Sequence, residues 1–287
     1  MPSNVQNSRQ SAMKGTTIMD REILYVFGTG NASVTNLYNT CFALRDKDEY
    51  FMVDAGGGNG ILKILDNMRV PIEHIHHLFV THEHTDHILG VIWMVRMIAT
   101  KMLKGSYEGD CYLYCHEELA DTIDTLCRLT LQGKHYKMLG DRIHLEKLTD
   151  GETRHILSYD VTFFDIRSTK AKQFGFSLRL NNGLKLTCLG DEPYNPLCEK
   201  YVEGCDWLLS EAFCLYGERD KWKPYEKHHS TVKEACELAS ALNVPNLVLW
   251  HTEDSNVAGR ERLYKNEGKK YYSGKLYVPD DESLIAL

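Results

Sequence analysis

The 287-residue sequence lacks any run approaching the roughly 18 apolar residues that a helix needs to cross a bilayer. Its first residues also lack the apolar core of an export signal. It therefore reads as neither embedded nor exported, and a cytoplasmic location is the expectation. A basic excess is missing too: 33 Lys and Arg against 40 Asp and Glu leave a formal charge of -7. That balance argues against a general nucleic-acid binder, which needs a cationic stripe to neutralise phosphates. The nine cysteines, Cys41, Cys111, Cys115, Cys127, Cys188, Cys198, Cys205, Cys214 and Cys236, contain no C-x-x-C pair. An odd count without scaffold spacing excludes a disulfide framework and points to reduced, mostly buried thiols. Fixed-period repeats and low-complexity linkers are absent. Residues 1–19 are polar and aperiodic and read as a flexible extension, which leaves residues 20–287 as one domain with a sizeable core.

What is present is an alternation of short apolar runs and amphipathic stretches. "ILYVFG", "NTCFALR" and "YFMVDAGGG" read as successive strands, the last ending in a glycine turn. "NGILKILDNM" has helical periodicity, "HHLFVTH" reads as a buried strand, and "DHILGVIWMVRMIATKML" as a long helix. Strand-like runs continue through "CYLYCH", "DVTFFDI", "FGFSLRL", "LKLTCLGD" and "WLLSEAF". A helix over "STVKEACELASALN" and a strand over "NLVLWH" follow. Strands that first pair as meanders and then alternate with helices imply sheets covered by helices, an α/β layered sandwich.

One stretch carries chemistry. In "THEHTDHILG", His82, His84, Asp86 and His87 fall within six residues, between a strand and a helix. Side chains two apart in an extended segment point the same way, so His82 and His84 can face one point. A first helical turn can aim Asp86 and His87 back at it. Imidazole nitrogen with carboxylate oxygen suits zinc and related divalent metals, with manganese or iron as alternatives. Without a cation, so many titratable groups in one turn would repel or stay unsatisfied.

The H-x-H-x-D-H pattern resembles the signature of the metallo-β-lactamase superfamily, and further segments resemble it in order. "FMVDAGGG" resembles the strand end whose aspartate, here Asp54, supports the ligands from behind. "CLGDEPY" resembles the segment with the bridging aspartate, here Asp191, and "LVLWHTED" the strand whose histidine, here His251, completes the second metal site. Within the superfamily the ribonuclease Z-like branch is the nearest resemblance, carried by "VFGTGNA", "QFGFSL", "LLSEAF" and "HHSTVKEACELA". The resemblance implies a four-layer αββα sandwich with two mixed sheets flanked by helices. It also implies a site for one or two metal ions held by His82, His84, Asp86, His87, Asp191 and His251, and a homodimer. Glu211 and His229 would form a carboxylate–histidine pair that protonates the leaving oxygen, with Asp86 orienting the attacking water. Taken from the residues alone, Glu211 is equally a solvated strand end and His229 a helix-cap neighbour.

Two departures narrow the expectation. Only "SLRLNNGLKLTCLG" separates Gly175 from Asp191, room for a hairpin and not for the long basic arm of enzymes that process transfer RNA. The third histidine of the first metal site is also missing: "FFDIRSTKAKQFGF" offers Arg167, Ser168 or Thr169 in its place, so the second site should be the tighter one. Arg167 and Lys170 are candidates for holding an anionic group, or else belong to a solvated loop. The resulting expectation is a metal-dependent hydrolase acting on a small or cyclic nucleotide-type phosphodiester, with a small anionic substrate and no large nucleic acid or membrane as partner. Alternatives are a hydrolase of carboxylic esters, lactones or thioesters, and a weakened metal- or anion-binding sensor.

Overall fold

The computed structural model describes residues 22–287, so the extension expected over residues 1–19 lies outside the described residues. In chain order, β1 (Ile23–Gly28), β2 (Cys41–Asp46), β3 (Glu49–Val53), β4 (His77–Phe79), β5 (Cys111–His116) and β6 (Ile143–Leu148) belong to one sheet. A second sheet holds β7 (Thr153–Ile156), β8 (Tyr159–Asp165), β9 (Phe174–Arg179), β10 (Lys185–Cys188), β11 (Trp207–Glu211), β12 (Asn246–Trp250) and β13 (Lys275–Tyr277). The last strand, β14 (Ser283–Ala286), returns to the first sheet and pairs antiparallel with β1. Each sheet mixes antiparallel and parallel pairs.

Helices α1 (Gly60–Asn67), α2 (Thr85–Lys104) and α3 (Glu117–Thr130) cover the first sheet, and α7 (Val232–Ala241) and α8 (Val257–Gly268) the second. The remaining helices, α4 (Gly133–Tyr136), α5 (Glu199–Val202) and α6 (Arg219–Trp222), are single turns. Three apolar layers result, which is the αββα sandwich the sequence implied. Along β1, Leu24 and Val26 face the second sheet while Tyr25 and Phe27 face the helices. Burial on both faces explains why these strands read as continuous apolar runs. In the central layer Phe42 stacks on Trp250 at 4.6 Å between ring centroids. Each such side chain contributes about 1.5–3 kcal/mol by burial. This contact fixes the end of β12, the point from which the chain enters the site.

Helix α2 buries Ile88, Val91, Ile92, Val95, Ile98, Ala99 and Met102, the i, i+3, i+4 stripe of an amphipathic helix. Asp86 sits in its first turn and Lys101 and Lys104 in its last, as the helix dipole favours, and left-handed Gly105 caps it. Gly90 lets this helix lie against the turn after β3. Its N–H donates to Gly56 O at 2.8 Å, and a Cβ there would meet Ala55 O at 1.8 Å. Among the described residues, no helix is long and apolar enough to cross a membrane.

Candidate metal centre

The C-terminal ends of the parallel strands β3 and β4 in one sheet, and of β10, β11 and β12 in the other, meet at one edge of the sandwich. Chain leaving strands at such an edge is where α/β folds hold ligands. Asp54 follows β3, His82 and His84 follow β4, Asp86 and His87 open α2, Asp191 follows β10, and His251 follows β12. Asp54 and His251 both have left-handed backbone, with φ of +54° and +56°.

Asp191 Oδ2 is the hub. It lies 3.5 Å from His82 Nε2, 3.6 Å from His87 Nε2 and 3.5 Å from His251 Nε2. Two groups of ligand atoms, His82 with His84 and Asp191, and Asp86 with His87 and His251, each fall within 4.8 Å of one another. All are buried except His84, which is half-buried at the mouth. The outer atoms of the imidazoles are anchored. His87 Nδ1 donates to Asp54 Oδ2 at 2.8 Å, while the N–H and hydroxyl of Thr81 donate to the same carboxylate. His251 Nδ1 faces the Thr40 hydroxyl at 3.3 Å, and that hydroxyl donates to Gly30 O. Anchoring Nδ1 leaves Nε2 of both rings turned to the centre, the tautomer a metal ligand needs.

These residues fit a divalent cation. His87 Nε2 is buried without a hydrogen-bond partner, its nearest oxygens being Asp86 Oδ2 at 3.3 Å and Asp191 Oδ2 at 3.6 Å. Burial pushes the His251 imidazole down to about 3 and also holds His82 well below its ordinary range, so both are neutral. Burial opposes ionisation of Asp86 and Asp191, but the proton-holding His87 beside them outweighs it and holds both carboxyls low. For His87 burial disfavours the charge, yet Asp86 and Asp54 prevail and raise its pKa: the cluster recruits a proton where a cation would sit. Neutral imidazoles beside ionised carboxylates form a nitrogen and oxygen donor set suited to zinc.

The other residues singled out in the sequence divide. His229 lines a cavity of about 570 Å³ together with His84, Asp86, Asp191, His251 and Lys170. Its Nδ1 donates to Asp191 O at 2.9 Å, and Glu211 Oε2 lies 3.6 Å from the same nitrogen. Glu211 is fully buried; its Oε1 accepts from the Ser230 N–H at 2.5 Å, and burial pushes its carboxyl up. Phe213 stacks flat on the His229 ring at 5.0 Å. Arg167 is engaged by Asp150 and by Asp165 Oδ2 at 3.2 Å and does not line this cavity. Ser168 and Thr169 tie their loop to buried Glu192, and none of the trio lines the cavity or belongs to either ligand group. His116, with Nε2 against Lys172 O, and His135, against Thr100, are structural.

Sequence reasoning missed two residues. Lys227 lines the cavity as Lys170 does, its ammonium 4.8 Å from the Phe213 ring centre. The only signal was a basic residue two places before His229. Gln173, 1% exposed, brings its amide to His82 and Asp191. It opens the "QFGFSL" segment, but an uncharged amide ahead of a strand gave no sign of contact with the ligands.

A family model described as anti-Pycsar protein Apyc1 matches residues 23–261. A ribonuclease Z of Thermococcus sibiricus (strain DSM 12597 / MM 739) is 25% identical over 317 aligned positions, covering 93% of this chain and 96% of that protein. Among solved structures, the metallo-β-lactamase fold protein YhfI from Bacillus subtilis superposes with a TM-score of 0.74 at 18% identity, covering 93% of this chain and 99% of that one. A diphosphatase from the PhnP family gives a TM-score of 0.70 at 14% identity, covering 93% and 97%.

Proposed function

Because the chain belongs to the anti-Pycsar protein Apyc1 family and has the metallo-β-lactamase fold of the ribonuclease Z-like proteins, we propose that it is a metal-dependent hydrolase of small phosphodiesters, cyclic nucleotides foremost. The observation that carries this reading is the single oxygen, Asp191 Oδ2, set between the imidazoles of both ligand groups, with His229 hydrogen-bonded to the carbonyl of the same residue. His82, His84 and Asp191 would hold one ion, and Asp86, His87, His251 and Asp191 the other, with zinc best suited to the donors. A divalent ion supplies Lewis acidity, lowering the pKa of water from near 16 toward about 7 and drawing charge from phosphate oxygens.

The protein's own groups do the rest. Asp86, held as a carboxylate, accepts the proton of the attacking water. His229, its Nδ1–H fixed by Asp191 O, turns Nε2 to the leaving oxygen and, protonated, delivers the proton that departs with the alcohol; buried Glu211 stabilises its imidazolium. Lys170 and Lys227 supply positive charge for the phosphate. A cavity of about 570 Å³ suits a nucleotide-sized ester. The connection of β9 to β10 is a tight hairpin through Gly183, which offers no arm for a large RNA. Nine free, buried cysteines support a reducing, cytoplasmic setting. Homodimer formation belongs to the same proposal and is checked by sedimentation.

One observation favours a second reading: the first ligand group has two imidazoles and a shared carboxylate, a donor short of a closed site. A weakened relative would bind an ion or anion without turnover. Purified protein reconstituted with Zn, Mn or Fe should hydrolyse bis(p-nitrophenyl) phosphate and 3′,5′-cyclic nucleotides, and His251→Ala should abolish this. Turnover confined to p-nitrophenyl acetate favours the carboxylic-ester class instead, and no turnover with any of the three metals favours the sensor.

A further inference from the structure

A smaller cavity opens off the central one. It holds about 170 Å³ and shares Ala32, Lys227 and His229 with the cavity above the ligands. Phe213 and Trp222, edge to face with ring centroids 6.5 Å apart, make one wall of this annex apolar, and the loop over residues 31–34 makes another. Glu253 and Asp254 add carboxylates. Most of the polar groups here are spent on the protein itself. Asp254 Oδ2 accepts from the N–H groups of Thr35 and Asn36 at 2.7 and 2.6 Å, which fixes the loop. Asn31 donates to Thr252 O and accepts from the Ser33 N–H. Glu253, 7% exposed, gives Oε2 to the Ser255 N–H at 2.7 Å, and its backbone N–H donates to Phe213 O. Its Oε1 has no hydrogen-bond partner among the described residues. A carboxylate oxygen this deep accepts and never donates, and leaving it unpaired is costly.

Charge and shape decide what fits. Lys170 and Lys227 make the central cavity the place for a phosphate, whereas the carboxylates of the annex repel one. His229 borders both spaces, so the organic part of an ester whose leaving oxygen meets His229 has the annex beside it. A volume of about 170 Å³ beside aromatic walls takes one heterocyclic base. A further cavity of about 360 Å³, lined by Tyr194 and Tyr225, also reaches His229 but shares no other residue with the central one. We propose that the annex holds the base of the substrate and that Glu253 Oε1 selects an exocyclic amino group over a carbonyl oxygen at the edge of that base. The amino group donates to Oε1; a carbonyl oxygen would meet a second acceptor with no hydrogen between them. This rests on the phosphodiester reading above and names the side chain that discriminates among its substrates.

The test is a calorimetric titration of zinc-reconstituted full-length protein with hydrolysis-resistant phosphorothioates of adenosine and inosine 3′,5′-cyclic phosphate, which carry an amino group or a carbonyl oxygen at C6. Wild type should bind the adenosine compound about tenfold or more tightly. Glu253→Gln should reverse the order: the Ser255 N–H keeps the amide oxygen as its acceptor, so the amide nitrogen takes the place of Oε1 and donates to the carbonyl. Glu253→Ala, a second variant, should bring the ratio near one. A merely structural role would weaken both compounds alike and leave the ratio as in wild type. Equal binding or an inosine preference in wild type, an adenosine preference kept in both variants, or no binding of either compound overturns the proposal. Hydrolysis of bis(p-nitrophenyl) phosphate and of both parent cyclic nucleotides, measured alongside, tells the two readings apart. Turnover without the ratio sinks the base site alone, and the ratio without turnover sinks the hydrolase reading alone.

Discussion

Gly90→Ala isolates the link between helix packing and the ligands. The substitution adds one methyl group in the middle of α2, where alanine is the better helix former by about 1 kcal/mol. Helix propensity alone therefore predicts a gain. The added Cβ, however, would stand 1.8 Å from Ala55 O and 2.4 Å from Ala55 C, against an ordinary contact of 3.4 Å or more. Relief requires the helix and the turn after β3 to separate by about 1.6 Å, since backbone on both sides leaves no side chain to swing away. His87 lies one turn earlier on the same helix, and its 2.8 Å bond to Asp54 Oδ2 would stretch well past hydrogen-bond range. Ligand constellations tolerate about 0.5 Å, and a displacement near 1 Å costs on the order of a hundredfold in rate. Overpacking further costs about 1–3 kcal/mol, more than propensity returns. Gly90→Ala, reconstituted with zinc alongside the wild type, should therefore melt lower, release the ion to a chelator more readily and, under the hydrolase proposal, turn over about a hundredfold or more slower. Gly58→Ala is the control, because nothing lies within 4 Å of a Cβ at Gly58. Calorimetry, metal analysis and steady-state assay read the outcome. A Gly90→Ala protein with wild-type zinc retention and turnover refutes the argument that this contact sets the ligand geometry.

Two further outcomes follow from groups away from the ligands. Burial holds the His77 imidazole down to about 4, with Tyr114 Oη 3.0 Å from its Nδ1. The unfolded chain takes up a proton there near pH 6.5 and the folded chain does not. Stability is therefore full above pH 6.5 and falls as pH drops toward 4, by up to about 1.4 kcal/mol per pH unit. His77→Phe should flatten that part of a urea-melt series between pH 7 and 4, and an unchanged slope counts against it. Lys227→Ala should raise KM for a phosphodiester about tenfold with a smaller change in kcat, on about 1.5 kcal/mol for a charge-assisted contact. Equal KM values at low and high salt in both proteins would remove Lys227 from substrate binding.

Much of this architecture is legible in the sequence, for physical reasons. Strands buried on both faces write unbroken apolar runs, and α2 writes its stripe from Ile88 to Met102. The tetrad from His82 to His87 is local, so its spacing alone forecasts convergence. Strands β7, β13 and β14 were not anticipated: they are three or four residues long, lie at sheet edges and are largely exposed, so they carry no apolar pattern. Long-range polar pairings are equally silent. Gln173 meets His82 across 91 positions, and Arg167 is drawn off by Asp150 and Asp165 through a loop whose path no local pattern dictates. The gap left by a third histidine was visible, but the side chain that occupies the neighbourhood was not, because amides are chosen by what surrounds them.

Asp54 and His251 keep left-handed backbone at a cost of roughly 1–2 kcal/mol each, a cost glycine would not incur. Glycine would relax the backbone at both places, but it would also strip Thr81 and His87 of their carboxylate partner and remove an imidazole from the centre. The awkward pose marks two places where side-chain chemistry outweighs backbone comfort, so glycine there should steady the scaffold while emptying the site.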